Sequence, residues 1–354
     1  MDAPRQLPDT LIEPYGSDRD GLICGYLFQP GLAGQPINLP EAIAWLGAGG
    51  DGPAVGSAQP ALAGAFLWLH FNLNDVHSEP WLREHLSLPA EFYEALATGS
   101  RSTRIEDAAD DLIAVVNDVA YEFSFDPSEI ATLWVTLSPR VLLSARRHPL
   151  RSVDRLRLAV RQGCPFASTV ALLNHLMRDQ GDGLVRIVRE ATTRVDAIED
   201  NLLVGKLQTK RADLGRLRRL LVRLQRLLEP EPGALFRLLK QPPPWVLEQD
   251  LDELRQSTEE FSLVIRDLAA LQERIKLLQE EMAAQVGEQT NRSVFTLTVV
   301  TVLALPINII AGLLGMNVGG IPLSDNPHGF LVIALIVLSF TVVAGWLAFR
   351  KKPE

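Results

Sequence analysis

Two stretches near the C-terminus carry no charge, Val294 to Leu314 and Phe330 to Phe349. Each matches the roughly 20-residue helix that crosses ~30 Å of hydrocarbon, so the pattern predicts two membrane helices joined by a short loop. Upstream the periods differ. The stretches "GLICGYLF", "AFLWLHFNLN", "DLIAVVNDVAYEF" and "ATLWVTLSPRVLLSARR" are rich in β-branched and aromatic residues and bounded by Gly, Pro and Asp. They read as strands, the last as a hairpin turning at Ser-Pro-Arg. "LPEAIAWL" and "SEPWLREHLSLPAEFYEALATG" read as short helices. From about residue 166 the apolar residues recur at three- and four-residue spacing, as in "VRIVREATTRVDAIEDNLLVG" and "LGRLRRLLVRLQRLL", which predicts amphipathic helices. "EPEPG" and "QPPPW" then read as breaks in the chain.

Beyond those breaks Leu254, Phe261, Leu268, Ile275 and Met282 recur every seven residues, with Val264, Leu271 and Leu278 three after their partners. That is an a/d seam. No proline interrupts it before Pro306, so the stalk is expected to run into the first membrane helix, residues 251 to 314 spanning ~95 Å at 1.5 Å per residue. The chain thus divides into an α/β region (1–165), a helical region (166–245), a long stalk helix (246–293), a first membrane helix (294–314), a loop (315–329), a second membrane helix (330–349) and a basic tail (350–354). The fold class is an α+β domain followed by a long stalk helix and two C-terminal transmembrane helices.

Charge orients this hairpin. The loop lacks Lys and Arg, whereas Arg350, Lys351 and Lys352 follow the second span directly. The positive-inside rule places the C-terminus in the cytoplasm, and two crossings place the N-terminal part there too. The first residues, "MDAPRQLPDTLIEPYG", have neither a basic n-region nor an apolar h-region and are not expected to act as a secretory signal. Cys24 and Cys164 are the only cysteines and fit a reduced compartment. A net charge of −9, carried almost wholly by the N-terminal part, argues against a nucleic-acid partner. No nucleophile motif, phosphate loop or HExxH sequence points to an enzyme, and no cofactor is expected. The basic run from Lys206 to Arg226 reads either as a solvated helix face or as a collar near anionic headgroups or a cation pathway.

Polarity inside the first span is aligned. Asn291, Thr298, Thr301, Asn308, Gly312 and Gly315 share a 3.5-residue seam, with Val294 and Leu305 filling its gaps. It does not continue the stalk seam, which would arrive at Thr296, Val299 and Pro306. Thr298 and Thr301 could instead bond back to their own helix, and Asn308 could cap backbone freed by Pro306. That explains the residues singly but not their alignment. Polar groups facing lipid are costly, so a common face implies a common interior. Two helices cannot enclose a pore, so several copies must ring one axis. In the loop "AGLLGMNVGGIPLSDNPHGF", glycines let the backbone turn, and Asn317 from each copy would form a ring of amide oxygens. Such a ring suits a hydrated divalent cation, which releases inner-shell water reluctantly. Leu305 on the seam reads as a constriction.

The sequence "GMN" closing a proline-bearing span, a short acidic loop, a second span and a basic C-terminus resemble the CorA superfamily of divalent-cation channels, over nearly the whole chain. The resemblance implies a funnel-shaped homopentamer in the cell inner membrane, with the lipid bilayer and divalent cations as its other partners. It makes Gly315, Met316 and Asn317 the entrance filter and has Asn291, Thr298, Thr301, Leu305 and Asn308 face the pore, a lining to which the seam adds Val294 and Gly312. "GMNVGGIP", "WLHFN" and "IEDNLL" are similar to the ZntB branch of zinc transport proteins, which implies Zn²⁺ uptake coupled to protons. Magnesium is the alternative ion, and a non-conducting membrane-anchored coiled-coil scaffold the alternative function. Neither span contains Cys, His, Asp, Glu, Lys or Arg. A tetrahedral zinc site and a carboxylate relay within the pore are therefore not expected. Coupling would use the loop groups Asp325 and His328 or the soluble part, and His328 is a candidate zinc-capture ligand, though a lone loop His is more often solvated. His70, His77, His85 and His148 have no metal-type spacing.

Overall fold

The computed structural model describes residues 16–47, 64–99, 104–108, 111–120, 124–126, 129–203, 211–316 and 326–350. The chain forms two compact units, Met1–Leu277 and Leu278–Glu354, divided within one long helix. The first is built on a seven-stranded sheet of β1 (Leu22–Phe28), β2 (Gln35–Pro36), β3 (Phe66–Asn72), β4 (Arg104–Ala108), β5 (Asp111–Val119), β6 (Ile130–Leu137) and β7 (Val141–Arg146), in the order β2-β1-β3-β7-β6-β5-β4. Every neighbouring pair is antiparallel except β3–β7.

Both faces of the sheet are covered, which is why its central strands are almost continuously apolar. Along β3, Phe66 and Trp68 point to one face and Leu67, Leu69 and Phe71 to the other, all buried. The second face carries α1 (Leu39–Gly47), α2 (Ser78–His85) and α3 (Ala90–Thr98), through Leu39, Trp45, Trp81, Leu82, Phe92 and Leu96. The first face carries α4 (Arg151–Arg161), α5 (Thr169–Leu203), α7 (Pro230–Lys240) and the start of α8 (Glu248–Leu314), through Leu156, Leu173, Leu235 and Leu254. The remaining helices are α6 (Arg211–Leu228) and α9 (Gly329–Arg350). A close approach fixes one glycine: a Cβ on Gly25 in β1 would stand 2.6 Å from the Ile37 carbonyl oxygen.

The four stretches read as strands form β1, β3, β5, β6 and β7. At the expected hairpin the Ser138 amide donates to the Val141 carbonyl (2.9 Å), while the Ser138 hydroxyl oxygen accepts from the Val141 amide (3.0 Å). The short strand β2 and the charged strand β4, "RIEDA", were not anticipated, because edge strands need not carry the alternating apolar signal. Helix α4 also starts earlier than the expected helical region. "EPEPG" is not a break of the expected kind: Pro230 occupies the first position of α7, where its missing N–H costs nothing. "QPPPW" does separate α7 from α8.

The heptad seam is buried throughout, from Leu254 to Met282. In the first unit α8 lies along α5, where Phe261 Cδ2 would be 3.8 Å from a Cβ on Gly181. Arg274 of α8 reaches Asp196 (2.7 Å) and Glu199 on α5. The Ser168 hydroxyl donates to Asp250 (2.6 Å), and the Asn174 amide donates to the Asp250 carbonyl (3.0 Å). From Ala283 to Thr298 no residue of α8 is buried.

Leu254 is the point at which α8 enters the sheet core. Leu254→Ala should destabilise the soluble unit by about 2–5 kcal/mol, whereas Leu263→Ala, at an exposed position of the same helix, should stay within about 0.5 kcal/mol. Denaturant titration of the full chain in detergent, followed by tryptophan fluorescence, measures both. Equal midpoints would show that α8 is not anchored there.

Candidate ion-conduction site

The last third of α8 and all of α9 contain 18-residue windows with mean hydropathy 2.3 and 2.4. Helix α8 continues through Pro306 to Leu314 without interruption. The least exposed residues of its membrane segment are Phe295, Val299, Leu303, Ala304, Pro306, Ile307 and Leu314. At about 100° per residue all but Ala304, which lies toward the flank, share one face. The seam residues Asn291, Val294, Thr298, Thr301, Leu305, Asn308, Gly312 and Gly315 centre on the opposite face, and all are exposed. Helix α9 has its own partly covered stripe at Ile333, Val337, Thr341 and Ala344.

The threonines on the seam bond back to the helix. Thr298 Oγ1 donates to the Val294 carbonyl and Thr301 Oγ1 to the Leu297 carbonyl, each at 2.8 Å. Thr296, off the seam, does the same toward Arg292 (2.9 Å). Back-bonding is thus general on this helix and does not itself mark the seam. It does fix the chemistry available there. A hydroxyl whose proton is committed to the backbone can only accept from outside, and water held by a cation presents donors. Among the described residues no hydrogen bond joins the Asn308 amide to the Val302 carbonyl that Pro306 leaves free, so the amide is not used as that cap. Arg292, the last charge before the apolar run, lies on the Val299 side of the helix, away from the seam.

The helix closes at Gly315, whose amide donates to the Ala311 carbonyl (2.9 Å). A Cβ on Gly315 would stand 3.0 Å from that same oxygen, whereas one on Gly312 would meet open space. Met316 is half exposed. Asn317 and Asp325 lie outside the described residues. At the start of α9 the Asn326 side-chain oxygen accepts from the His328 amide (2.9 Å), and its carbonyl accepts from Gly329 (2.9 Å). The His328 carbonyl accepts from Val332 (3.1 Å) with its ring exposed, so its backbone serves as a helix start.

Among the described residues no group of three or more His, Cys, Asp or Glu side chains is arranged to hold a metal ion. Of the histidines of the soluble unit, His148 is exposed and His70, His77, His85 and His175 have other partners. His70, fully buried, accepts from Arg146 Nε at Nε2 (3.1 Å), which leaves Nδ1 to donate to Ser144 Oγ (2.8 Å). The Trp68 indole donates to the same hydroxyl (2.9 Å). Burial, then the charges of Arg146 and Arg157, hold the imidazole well below its usual range, so it is neutral. His85 stacks on Trp81 at 4.7 Å, and His77 and His175 each face an aspartate, Asp75 (3.1 Å) and Asp179 (3.3 Å). The "WLHFN" stretch therefore builds the expected strand, together with a buried polar cluster that its sequence alone did not reveal.

Residues 63–352 match the family model described as "CorA-like Mg2+ transporter protein". The chain belongs to this family. It is 29% identical over 311 residues to "Divalent cation transporter CmaX" of Pseudomonas aeruginosa, covering 85% of this chain and 92% of that protein. It is 23% identical over 303 residues to "Zinc transport protein ZntB" of Pectobacterium carotovorum, covering 86% and 90%. The solved structure of the full-length CmaX protein superposes with a TM-score of 0.76 at 25% identity, covering 94% of this chain and 98% of that one. This CorA-like chain is therefore a membrane transporter and not an enzyme. It carries the soluble α/β unit, long helix and two apolar helices that its pattern predicted.

In the CorA-like chain, Gly315 and Gly312 make a paired test of the helix end. Gly315→Ala forces a Cβ against the Ala311 carbonyl and should lower divalent-cation uptake into proteoliposomes several-fold, while Gly312→Ala should stay close to wild type. Equal uptake by the two variants would show that the last turn of α8 tolerates displacement.

Proposed function

We propose that the protein transports divalent cations, zinc foremost, through a pore on the axis of a homopentamer, with the polar seam of α8 facing that axis. The observation that carries the reading is the uncovered seam. Its threonine oxygens and amide lie on the face opposite the covered stripe, where lipid would leave them unsolvated. A ring of copies gives that face water instead. The number five rests on the family resemblance alone.

In this reading Gly315, Met316 and Asn317 form the mouth, and the Asn317 amide oxygens accept hydrogen bonds from the hydration shell of the ion. Below it Asn308, Thr301, Thr298 and Asn291 offer further acceptors, with Leu305 as an apolar constriction that gates by dewetting. The ion keeps most of its water, which fits a pathway without thiolate, imidazole or carboxylate ligands. Asp325 and His328 are the groups proposed to gather ions outside. The charge asymmetry between the loop and Arg350–Lys352 supports cytoplasmic termini and residence in the cell inner membrane. Zinc is favoured by the "GMNVGGIP" stretch. Proton coupling, which the same branch implies, has to use groups outside the spans.

The test is uptake of Zn²⁺ and of Mg²⁺ into proteoliposomes, with and without an imposed pH gradient. Zn²⁺ uptake should exceed Mg²⁺ uptake and respond to the gradient. The reverse preference would favour magnesium, and no flux of either ion would favour the scaffold. Asn317→Ala should cut uptake strongly without disturbing the oligomer on size exclusion, because about 0.5–1.5 kcal/mol is lost per hydrogen bond at every copy. Wild-type uptake by an assembled Asn317→Ala protein would remove Asn317 from the filter.

A further inference from the structure

Among the described residues of the soluble unit, one buried carboxyl is paired with no cation. Glu231, in the first turn of α7, is fully buried. Its Oε2 accepts from Gln180 Nε2 of α5 (3.1 Å), and that same nitrogen donates to the Asn117 carbonyl of β5 (2.6 Å). Two buried oxygens of this pair, Glu231 Oε1 and Gln180 Oε1, have no hydrogen-bond partner. Both are acceptors if Glu231 is ionised, so neither can help the other. A single proton on Glu231 Oε1 turns it into a donor and lets an acid–amide pair close, with the amide N–H on one carboxyl oxygen and the carboxyl O–H on the amide oxygen.

We propose that Glu231 is a proton-binding site of the soluble unit: the neutral acid pairs with Gln180 and fastens the start of α7 to α5 and β5, and loss of the proton releases that fastening.

The surroundings agree. From β5 the facing charge is Asp118, of the same sign, whose oxygens are taken by the amides of Val119 (2.7 Å) and Ser152 (2.8 Å), with Arg151 nearby. On α5 the neighbouring Asp179 is engaged by Arg155 (3.2 Å) and His175 (3.3 Å). On the β4 edge Ile105 faces the α7 side, while Arg104 and Glu106 lie on the other face of the sheet and pair with each other (3.8 Å). Beside this pair, Leu224 and Leu228 of α6 with Asn117, Asp118 and Gln180 line a cavity of about 10 Å³, which Glu231 itself does not line. That is room for one water at most, too little to hydrate an ion. The N-terminal end of α7 favours a negative charge there, but weakly against the cost of burying one.

Burial first, then Asp118, pushes the Glu231 carboxyl up to about 8, against an ordinary 4.5. Because the folded state holds the proton more tightly, the stability it supplies is complete below the ordinary value and is lost as pH rises through about 8. Hydrogen–deuterium exchange of the full chain in detergent, expressed as protection factors to remove intrinsic pH dependence, tests this. In the wild type, protection of α7 amides should fall at least about tenfold between about pH 6 and pH 10, while Glu231→Gln, a permanently neutral stand-in, should remove that fall. Identical pH dependence in the two proteins would overturn the proposal. Infrared difference spectra of wild-type protein carrying ¹³C-labelled glutamate need no variant. A protonated glutamate carbonyl band at neutral pH that disappears on alkaline titration supports the site, and no such band refutes it.

Discussion

Among the described residues, most of the apolar surface of α9 and of the last third of α8 is uncovered, and the rest of the molecule answers to that fact. Val294, Leu297, Val300, Val302, Leu305 and Ile309 on α8, and Phe330, Leu335, Ile336 and Leu338 on α9, are all exposed. In water this would be an aggregation surface; in hydrocarbon it is the natural state. Lipid satisfies the apolar flanks but not Asn308 or the outward lone pairs of Thr298 and Thr301. In the proposed pore one helix faces two solvents. Placing the seams of several copies around shared water meets both demands, with no charge in the spans.

The soluble unit meets a different demand, holding one end of a 67-residue helix. It does so with Leu254 in the sheet core, the Ser168–Asp250 and Asn174–Asp250 bonds at the first turns, and Arg274 between Asp196 and Glu199 further along. Charged groups near the surface add little stability singly, and here they set register along an apolar seam that supplies the energy. Glu231 belongs to the same scheme at a neighbouring joint. Ala234, Leu235 and Leu238 of α7 share one apolar cluster with Leu254 of α8, so the proposed proton site adjoins the cluster that anchors α8.

Much of this was legible because it depends on period. A helix in lipid, a heptad seam and a strand buried on both faces each impose a spacing that the chain must show, as in "FLWLHFN" and in Leu254 through Met282. The alignment of Asn291, Thr298, Thr301 and Asn308 on one exposed face of α8 was legible for the same reason. Other features depend on partners far away in sequence. β4 is charged because it is an edge. The proline of "EPEPG" could stop a helix or start one, and the helix won. The tautomer of His70 follows from Arg146 and Ser144 on another strand, and the burial of Glu231 follows from Gln180 and β5. The number of copies has no counterpart in the periodicity of one chain.

The central claim is that one face of α8 meets water inside the bilayer. Single cysteines at Thr298, Thr301, Leu305, Val300 and Ile310, with Cys24 and Cys164 replaced by alanine, can be treated with a small charged thiol reagent in reconstituted membranes. Modification is read by mass and by cation flux. Thr298, Thr301 and Leu305 should react and lose flux, whereas Val300 and Ile310 should stay unmodified. Equal reactivity at all five positions, or reaction confined to Val300 and Ile310, would contradict the claim.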